Sequence, residues 1–209
     1  MDAAIALADA EGLAAVSMRA VATALGTGAG SLYRYLSSRD DLLDLMVDRV
    51  ATELRPYPRT DNNGDWLDEM LLLARDQLAM HRRHRWLVDV SYRTSSIGPE
   101  SLAWFDNCLR VMAPVRAAVT AKFEAIAMLT GVVSLFARGE AAAGETVSFA
   151  GLDLANYPHL TAAFTQPPPQ AAPPAKDLFE RTVRSLLTGL LEQSDAGPGG
   201  PGYGTASVT

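Results

Sequence analysis

The chain has 209 residues, of which 48% are apolar and 20% charged, enough to form one large globular domain or two small ones. Its one cysteine, Cys108, excludes an internal disulfide and a metal site built from several thiolates, which fits a reducing cytoplasm. The net charge of −6 argues against a protein coated along its length by nucleic acid, although a small DNA contact depends only on local charge.

Two apolar runs need to be distinguished from membrane-targeting segments. The run at residues 3–8 follows Asp2 and has no basic segment before it, so it does not resemble a secretory signal. As a helix, the run at residues 125–137 would span on the order of 20 Å, against ~30 Å for the hydrocarbon layer of a membrane. We therefore expect a buried core helix there, and no membrane partner.

Residues 17–36 have the pattern of two short helices joined by a glycine turn. Ser17 is a helix-capping residue, and the apolar residues that follow it are spaced at i, i+3, i+4 and i+7. Gly26 suits the positive φ that ends a helix, and Leu32 and Leu36 predict the inward face of a second helix. The segment is therefore predicted to form a helix-turn-helix.

The outward face of that second helix carries groups suited to DNA. Small residues at its start permit a close approach to the major groove, and the hydroxyls of the serine and tyrosines can bond to phosphate oxygens. Arg34 can bond to phosphate or guanine, and Arg19 and Arg39 can hold the DNA backbone on either side. From Ser17 to Arg39 there are three arginines and no acid, so this surface is locally positive.

Helical periodicity continues to residue 193, and no segment alternates as a β-strand does, which predicts an all-α fold. Beyond the helix-turn-helix, helices are predicted at 41–54 (after the N-cap Ser38), 66–80, 101–112, 117–138 and 177–193. Proline, glycine and asparagine predict linkers at 55–65 and 166–175 and a disordered tail at 194–209. The predicted organisation is a helix-turn-helix domain over 1–48 and a helical regulatory and dimerisation domain over 49–193.

The run at residues 17–43, SMRAVATALGTGAGSLYRYLSSRDDLL, resembles the DNA-binding domain of TetR/AcrR-type repressors. The resemblance rests on the arginine after the first cap, the Ala-x-x-Leu-Gly turn, the Leu-Tyr pair and the Ser-Arg-Asp-x-Leu helix start. Trp66, the run His84-Arg85-Trp86-Leu87 and Gly98-Pro99 are more loosely similar to the regulatory domain of the tetracycline-repressor branch.

This resemblance implies a homodimeric, all-helical repressor that binds double-stranded operator DNA and is released by a small molecule, with no cofactor and no catalytic or metal-binding residues. Carried onto the matching positions, and with Arg19 added, the DNA contacts would fall on Arg19, Thr27, Ala29, Gly30, Ser31, Tyr33, Arg34, Tyr35 and Arg39. The ligand is expected to be apolar and to shift the helix at 38–54, which joins the two domains and so sets the separation of the recognition helices.

A stripe along the helix at 66–80 predicts a ligand cavity that contains one polar group. Gln77 is the single amide on an otherwise apolar line, so it is either a hydrogen-bonding group in a cavity or an ordinary residue near solvent, and both interpretations stay open. The predicted ligand-binding set is Trp66, Met70, Leu73, Gln77, Tyr92, Phe105, Leu109, Met112 and Met128.

Other polar clusters favour ordinary roles. His81 and His84 could form half of a metal site, but a solvated basic helix end is the better interpretation. The acidic residues Asp40, Asp41, Asp44 and Asp48 are predicted to line a solvated helix face, because no histidine or metal partner accompanies them. Cys108 lies among apolar residues and is predicted to be an inert core thiol.

The helices at 117–136 and 177–193 are apolar beyond one face, so they are either buried within one subunit or paired with a second copy in a four-helix bundle. The resemblance favours the dimer. The predicted function is a ligand-responsive transcriptional regulator, most simply a repressor. The alternatives are a protein-interaction module with a degenerate helix-turn-helix and, less favoured, a small-molecule enzyme, for which we find no nucleophile–base pair, metal set or phosphate loop.

Overall fold

A computed structural model describes residues 1–58, 65–90, 96–141, 156–165 and 178–192. Across these ranges the fold is all helical, which confirms the predicted class, and it contains no strand. The helices are α1 (Asp2–Glu11), α2 (Met18–Ala24), α3 (Ala29–Leu32), α4 (Arg39–Ala51), α5 (Trp66–Arg83), α6 (Leu87–Val90), α7 (Pro99–Val111), α8 (Val119–Ala141), α9 (Pro158–Thr165) and α10 (Leu178–Glu192).

The first four helices form the N-terminal unit. The Ser17 hydroxyl accepts a hydrogen bond from the backbone N–H of Ala20 at 3.1 Å and so caps α2, and Gly26, with φ of 66°, follows the end of that helix. Ser38 and Asp41 form a reciprocal capping box at the start of α4. These local signals place α2, the turn and α3 as predicted, although α3 ends at Leu32 and the chain continues in a turn to the buried Leu36.

α4 connects this unit to the rest of the chain. It buries Leu42, Met46 and Val50, and it packs against α1 on one side and α7 on the other. A short 3₁₀ turn, Thr52–Leu54, follows it and packs against α5. Any tilt of α4 must therefore disturb contacts in both parts of the chain.

In the rest of the chain, the hydrophobic core forms mainly where α8 packs against α5 and α10. α8 contributes the fully buried Ile126, Leu129 and Val133, which confirms the predicted core helix at 125–137. By length and mean hydropathy (1.5), Val119–Glu140 could also cross a membrane, a property that core helices share. Its buried side chains face other helices of the chain, as expected for a core helix.

Several predictions concern residues outside the described ranges. Most of the predicted linker at 55–65, the linker at 166–175 and the tail at 194–209 lie there. α6 and α9 were not predicted, since each is too short to show a periodic pattern. Beyond the helix-turn-helix, the ends of the predicted helices differ from the observed ones by three residues or fewer, and α7 begins earlier because Pro99 occupies its first turn.

Candidate nucleic-acid interface and ligand cavity

The surface around α3 is exposed, as a DNA contact requires. Tyr33 and Tyr35 are 57% and 83% exposed, which is high for tyrosine side chains. Arg19 and Arg34 are also exposed, and within the described part of the chain neither forms an ion pair. The structure brings the predicted residues Arg19, Thr27, Ala29, Gly30, Ser31, Tyr33, Arg34 and Tyr35 together on α2, the turn and α3, none of them buried.

Arg39 has a different environment from the other predicted DNA contacts. Its Nε donates to the carbonyl of Val16 and its Nη2 to the carbonyl of Leu13, both at 2.8 Å. The side chain is half-buried and joins the start of α4 to the segment between α1 and α2. Its guanidinium therefore holds the helix-turn-helix together from within.

A cavity of about 230 Å³ lies between α4, α5 and α7. Of the predicted ligand-binding set, Gln77 and Phe105 line it. The lining residues are Asp44, Val47, Ala51, Leu54, Gln77, Met80, His81, Leu87, Ser96, Ile97, Ser101, Trp104, Phe105 and Thr130. The cavity thus combines an apolar wall with polar groups from four segments.

The rest of the predicted ligand-binding set lies elsewhere. Met70, Leu73 and Met112 are fully buried in the core, and Trp66 and Leu109 are half-buried against it. Met128 is 52% exposed on α8, and Tyr92 falls outside the described residues. A periodic stripe identifies an inward face, but it does not separate packed positions from those beside a void.

Two buried side chains that line the cavity have unmatched polar atoms. The Gln77 amide donates to the Thr130 hydroxyl at 3.3 Å, which leaves its Oε1 without a hydrogen-bond partner in the described residues. The indole N–H of Trp104 also has none there. A buried polar atom without a partner costs ~1–3 kcal/mol, so a ligand that supplies the missing bonds gains affinity.

His81 is buried at the cavity, so the predicted solvated helix end is wrong for this residue. Burial lowers the pKa of His81, and the bond to the Gln77 backbone carbonyl and the charge of His84 are smaller influences. Its Nδ1 lies 2.9 Å from that carbonyl oxygen, which can only accept, so Nδ1 carries the hydrogen. The other ring nitrogen, Nε2, is then an acceptor.

Two carboxylates of α4 hold the start of α7. Asp48 accepts hydrogen bonds from the backbone N–H groups of Glu100 (3.0 Å) and Ser101 (2.9 Å), and Asp44 accepts from the backbone and the hydroxyl of Ser96 (3.0 and 2.9 Å). A Cβ at Gly98 would overlap the Asp48 carboxylate, so the missing side chain permits this approach. We call this contact the carboxylate clamp.

The clamp corrects the predicted solvated acidic face. Asp40 is exposed and Asp41 caps α4, but Asp44 and Asp48 are each only 8% exposed, because α7 and Ser96 supply donors for them. Sequence reasoning also missed the roles of Gly98 and Trp104. The pair Gly98-Pro99 is the signal that could have found the role of Gly98, since proline is typical of the first turn of a helix and the N–H groups of that turn need an acceptor.

His84 is also buried, which makes the predicted solvated helix end wrong for it too. Its ring nitrogens face two carboxylates: Nδ1 lies 2.8 Å from Asp9 and Nε2 2.9 Å from Glu53. No group of three His, Cys, Asp or Glu in the described ranges is placed to hold a metal ion. Cys108 is buried as predicted, and burial raises the pKa of its thiol to about 12, so it stays protonated and inert.

Comparison with known proteins decides the family. Residues 1–46 match the model for bacterial regulatory proteins of the tetR family, and residues 57–194 match the tetracyclin repressor-like C-terminal domain. The chain belongs to the TetR family. These two matches cover the helix-turn-helix and the helices from α5 onward, and residues 47–56 lie between them.

Individual TetR relatives agree with this assignment. A stretch of 159 residues is 38% identical to the HTH-type transcriptional repressor DrrR1 of Streptomyces coeruleorubidus; it covers 75% of this chain and 58% of that repressor's length. Apo ActR from Streptomyces coelicolor has a TM-score of 0.75 at 25% identity, over 91% of this chain and 94% of ActR. The structure of ActR in complex with (S)-DNPA has a TM-score of 0.73 at 25% identity, over 92% of this chain and 95% of ActR.

Proposed function

We propose that this TetR-family protein is a transcriptional repressor that binds operator DNA as a homodimer in the cytoplasm and releases it when a small molecule occupies the cavity. The observation that carries the proposal is that one helix, α4, follows the exposed recognition surface and also lines the cavity. The names of two relatives support it, since DrrR1 is a repressor and ActR has been seen with a small molecule bound.

The DNA contact is proposed for α3 and the residues that flank it. The hydroxyls of Tyr33 and Tyr35 reach phosphate oxygens, and Arg34 contributes a charged contact to phosphate or guanine. The N-terminal residues of a recognition helix normally contact base edges, and here those residues are Ala29 and Gly30. We therefore expect much of the affinity to come from the DNA backbone and to fall steeply with salt.

The dimer is proposed to form through α8 and α10. α8 leaves Met128 and Leu135, which lie seven positions apart on one face, 52% and 66% exposed, and α10 leaves Leu178 exposed. A large apolar patch is unusual on a monomer surface, and two helices from each subunit bury such a patch in a four-helix bundle. A two-fold axis then places the two α3 helices on one side of the dimer.

Leu135→Glu tests this interface, because a charge at its centre cannot be buried without a partner. Sedimentation is expected to show a dimer for the wild type and a monomer for this variant. The matched control is Leu102→Glu, on α7, where a leucine is exposed to a similar degree away from the proposed interface. A wild-type monomer, or a dimeric Leu135→Glu protein, would contradict the proposal.

The proposed effector is mainly apolar, with a few hydrogen-bonding groups. Trp104 can only donate, so the ligand needs an acceptor opposite its indole N–H. Neutral His81 offers an acceptor at Nε2, and the Gln77 Oε1 is an unmatched acceptor, so the ligand also needs a donor. An apolar ring system that carries both hydroxyl and carbonyl groups meets these requirements.

The proposed response passes through the carboxylate clamp. A ligand in the cavity touches Asp44 and the segment at 96–101, and so competes with the contacts that fix the position of α4. If α4 tilts, the two recognition helices leave the ~34–36 Å spacing that matches one turn of DNA. The change in DNA affinity can be no larger than the ligand's preference for the tilted state.

The direct experiment is a selection of genomic DNA fragments by the purified protein at low salt, followed by a thermal-shift screen of small molecules. We expect a few fragments with palindromic sites to be enriched, and some compounds both to stabilise the protein and to release those fragments. If no fragment is enriched over a column without protein, the proposed function is wrong.

A further inference from the structure

His84 lies at a joint between the two parts of the chain. It caps the C-terminal end of α5, while its partner Asp9 belongs to α1 and its partner Glu53 to the 3₁₀ turn after α4. Its Nδ1 lies 2.8 and 3.0 Å from the two oxygens of Asp9, and its Nε2 lies 2.9 Å from Glu53. One buried ring therefore connects three segments, and it is not among the residues that line the cavity. We call this contact the histidine joint.

The geometry requires a doubly protonated ring. Ionised carboxylates only accept hydrogen bonds, so both ring nitrogens must donate, and only the imidazolium form has two N–H groups. A neutral ring would direct a lone pair at one carboxylate at hydrogen-bond distance. The histidine joint is therefore complete only when His84 carries a proton.

Neighbouring donors hold the two carboxylates in place. The indole N–H of Trp86 donates to Asp9 at 2.8 Å, and the Arg83 guanidinium donates to Glu53 at 2.7 and 3.0 Å. Although burial raises the pKa of Glu53, hydrogen bonds from His84 and Arg83 outweigh it and hold that pKa below its ordinary value. Both acceptors are thus present for the two N–H groups of the ring.

We propose that His84 is a positioning residue for operator binding, whose imidazolium fixes α1 and the end of α4 to α5 so that the recognition helices keep their spacing. The inference rests on the proposed DNA-binding function. The histidine joint and the carboxylate clamp have different proposed roles, since a ligand in the cavity touches the clamp but not the joint. The joint stays fixed while α4 tilts about it.

Charged groups from several elements surround the ring. They are Asp9 from α1, Glu53 from the 3₁₀ turn and Arg83 from α5, with Arg85 and Asp89 near Asp9 and Arg83, and Arg49 of α4 near Asp9 and Glu53. His84 contacts both carboxylates, so removing its ring takes away a link between α1 and the 3₁₀ turn.

The expected effect of a substitution follows from the two contacts. Without the ring, both carboxylates lose an N–H donor, and α1 and the turn after α4 lose their common link to α5. Glutamine can replace one of the two donors, so one charge-assisted hydrogen bond is lost, and we expect operator binding by His84→Gln about tenfold weaker than by the wild type at fixed pH and ionic strength, a factor that corresponds to ~1.4 kcal/mol.

The test compares wild type, His84→Gln and the control His159→Gln, which changes an exposed histidine on α9. With a fragment enriched by the wild type, His84→Gln is expected to bind about tenfold more weakly than the wild type at the same pH and salt. His159→Gln is expected to match the wild type. Sedimentation of each protein checks that the dimer is unchanged.

Nitrogen-15 NMR of the histidine rings supplies a readout that does not need DNA. Under the conditions of the DNA titration the His84 ring is expected to show a hydrogen on each nitrogen, as its two carboxylate contacts require, and a hydrogen on one nitrogen alone would overturn the proposal. Wild-type and His84→Gln proteins with equal affinity would also overturn it, while leaving the proposed function intact. Failure of the wild type to enrich any DNA would instead contradict the proposed function itself.

Discussion

α4 and the turn after it are held to the regulatory helices at two joints that differ in chemistry. The carboxylate clamp uses Asp44 and Asp48 against backbone N–H groups and a hydroxyl, and it borders the cavity. The histidine joint uses full charges and lies outside the cavity lining. In the proposed response, this contrast lets a ligand loosen the clamp directly while the histidine joint stays closed, so that α4 tilts.

The largest effect is expected from Gly98→Ala, which fills the space that the Asp48 carboxylate occupies in the clamp. In Gly98→Ala the new Cβ overlaps the Asp48 carboxylate and forces it away from the N–H groups of Glu100 and Ser101. We expect the free energy of unfolding to fall by about 2–3 kcal/mol and operator binding to become insensitive to effector. Denaturant unfolding and a DNA titration with and without effector measure both.

The matched control for this change is Gly30→Ala, where a Cβ meets open space. It should leave the unfolding free energy near its wild-type value; the effector response is compared with the wild type instead, because Gly30 belongs to the proposed DNA surface. A Gly98→Ala protein as stable as this control and as responsive to effector as the wild type would show that the clamp does not transmit the signal.

The helix-turn-helix was predictable because its signals are local. Ser17, Gly26 and Ser38 act on backbone groups within a few positions, so the printed sequence contains both partners of each interaction. The two joints were not predictable, since Asp48 and Glu100 are 52 positions apart and His84 and Asp9 are 75 apart. A helix pattern shows that a polar residue leaves the apolar stripe, but not which helix packs over it.

An intermediate effect is expected in the cavity. Gln77→Leu replaces an amide that has an unmatched buried oxygen with an apolar group of similar size. We expect the protein without ligand to be equally stable or up to ~1 kcal/mol more stable, and effector to bind about tenfold more weakly. Operator binding without effector should not change, since the histidine joint is untouched; weaker binding would show that the two joints are not separate.

A smaller effect is expected from the other buried histidine. Burial lowers the pKa of His81, so the unfolded chain binds a proton more readily than the folded one. Part of the unfolding free energy is therefore lost as the pH falls through the ordinary range of histidine towards 5. His81→Gln should reduce this loss of unfolding free energy in denaturant titrations at pH 7 and pH 5. If the loss is as large in His81→Gln as in the wild type, groups other than His81 cause it.

The smallest effect is expected on the salt dependence of DNA binding. Arg34→Ala removes one proposed phosphate contact on each subunit, so the slope of log affinity against log salt should fall by roughly one for each phosphate that is no longer neutralised. Titrations between low and moderate salt measure it. Arg39→Ala is a useful contrast, because its guanidinium already bonds to Leu13 and Val16, and its removal should lower stability more than the salt slope.

The exposed surface around α3 is proposed to hold operator DNA in a dimer, and every other proposed role depends on that contact. Its most direct test is the affinity of wild-type and Tyr33→Ala proteins for an enriched genomic fragment, measured together with the mass of each complex. We expect one or more dimers on the wild-type fragment and at least tenfold weaker binding by a Tyr33→Ala dimer that is otherwise intact. Equal affinity of the two proteins, or a complex with a single subunit, would contradict the proposed interface.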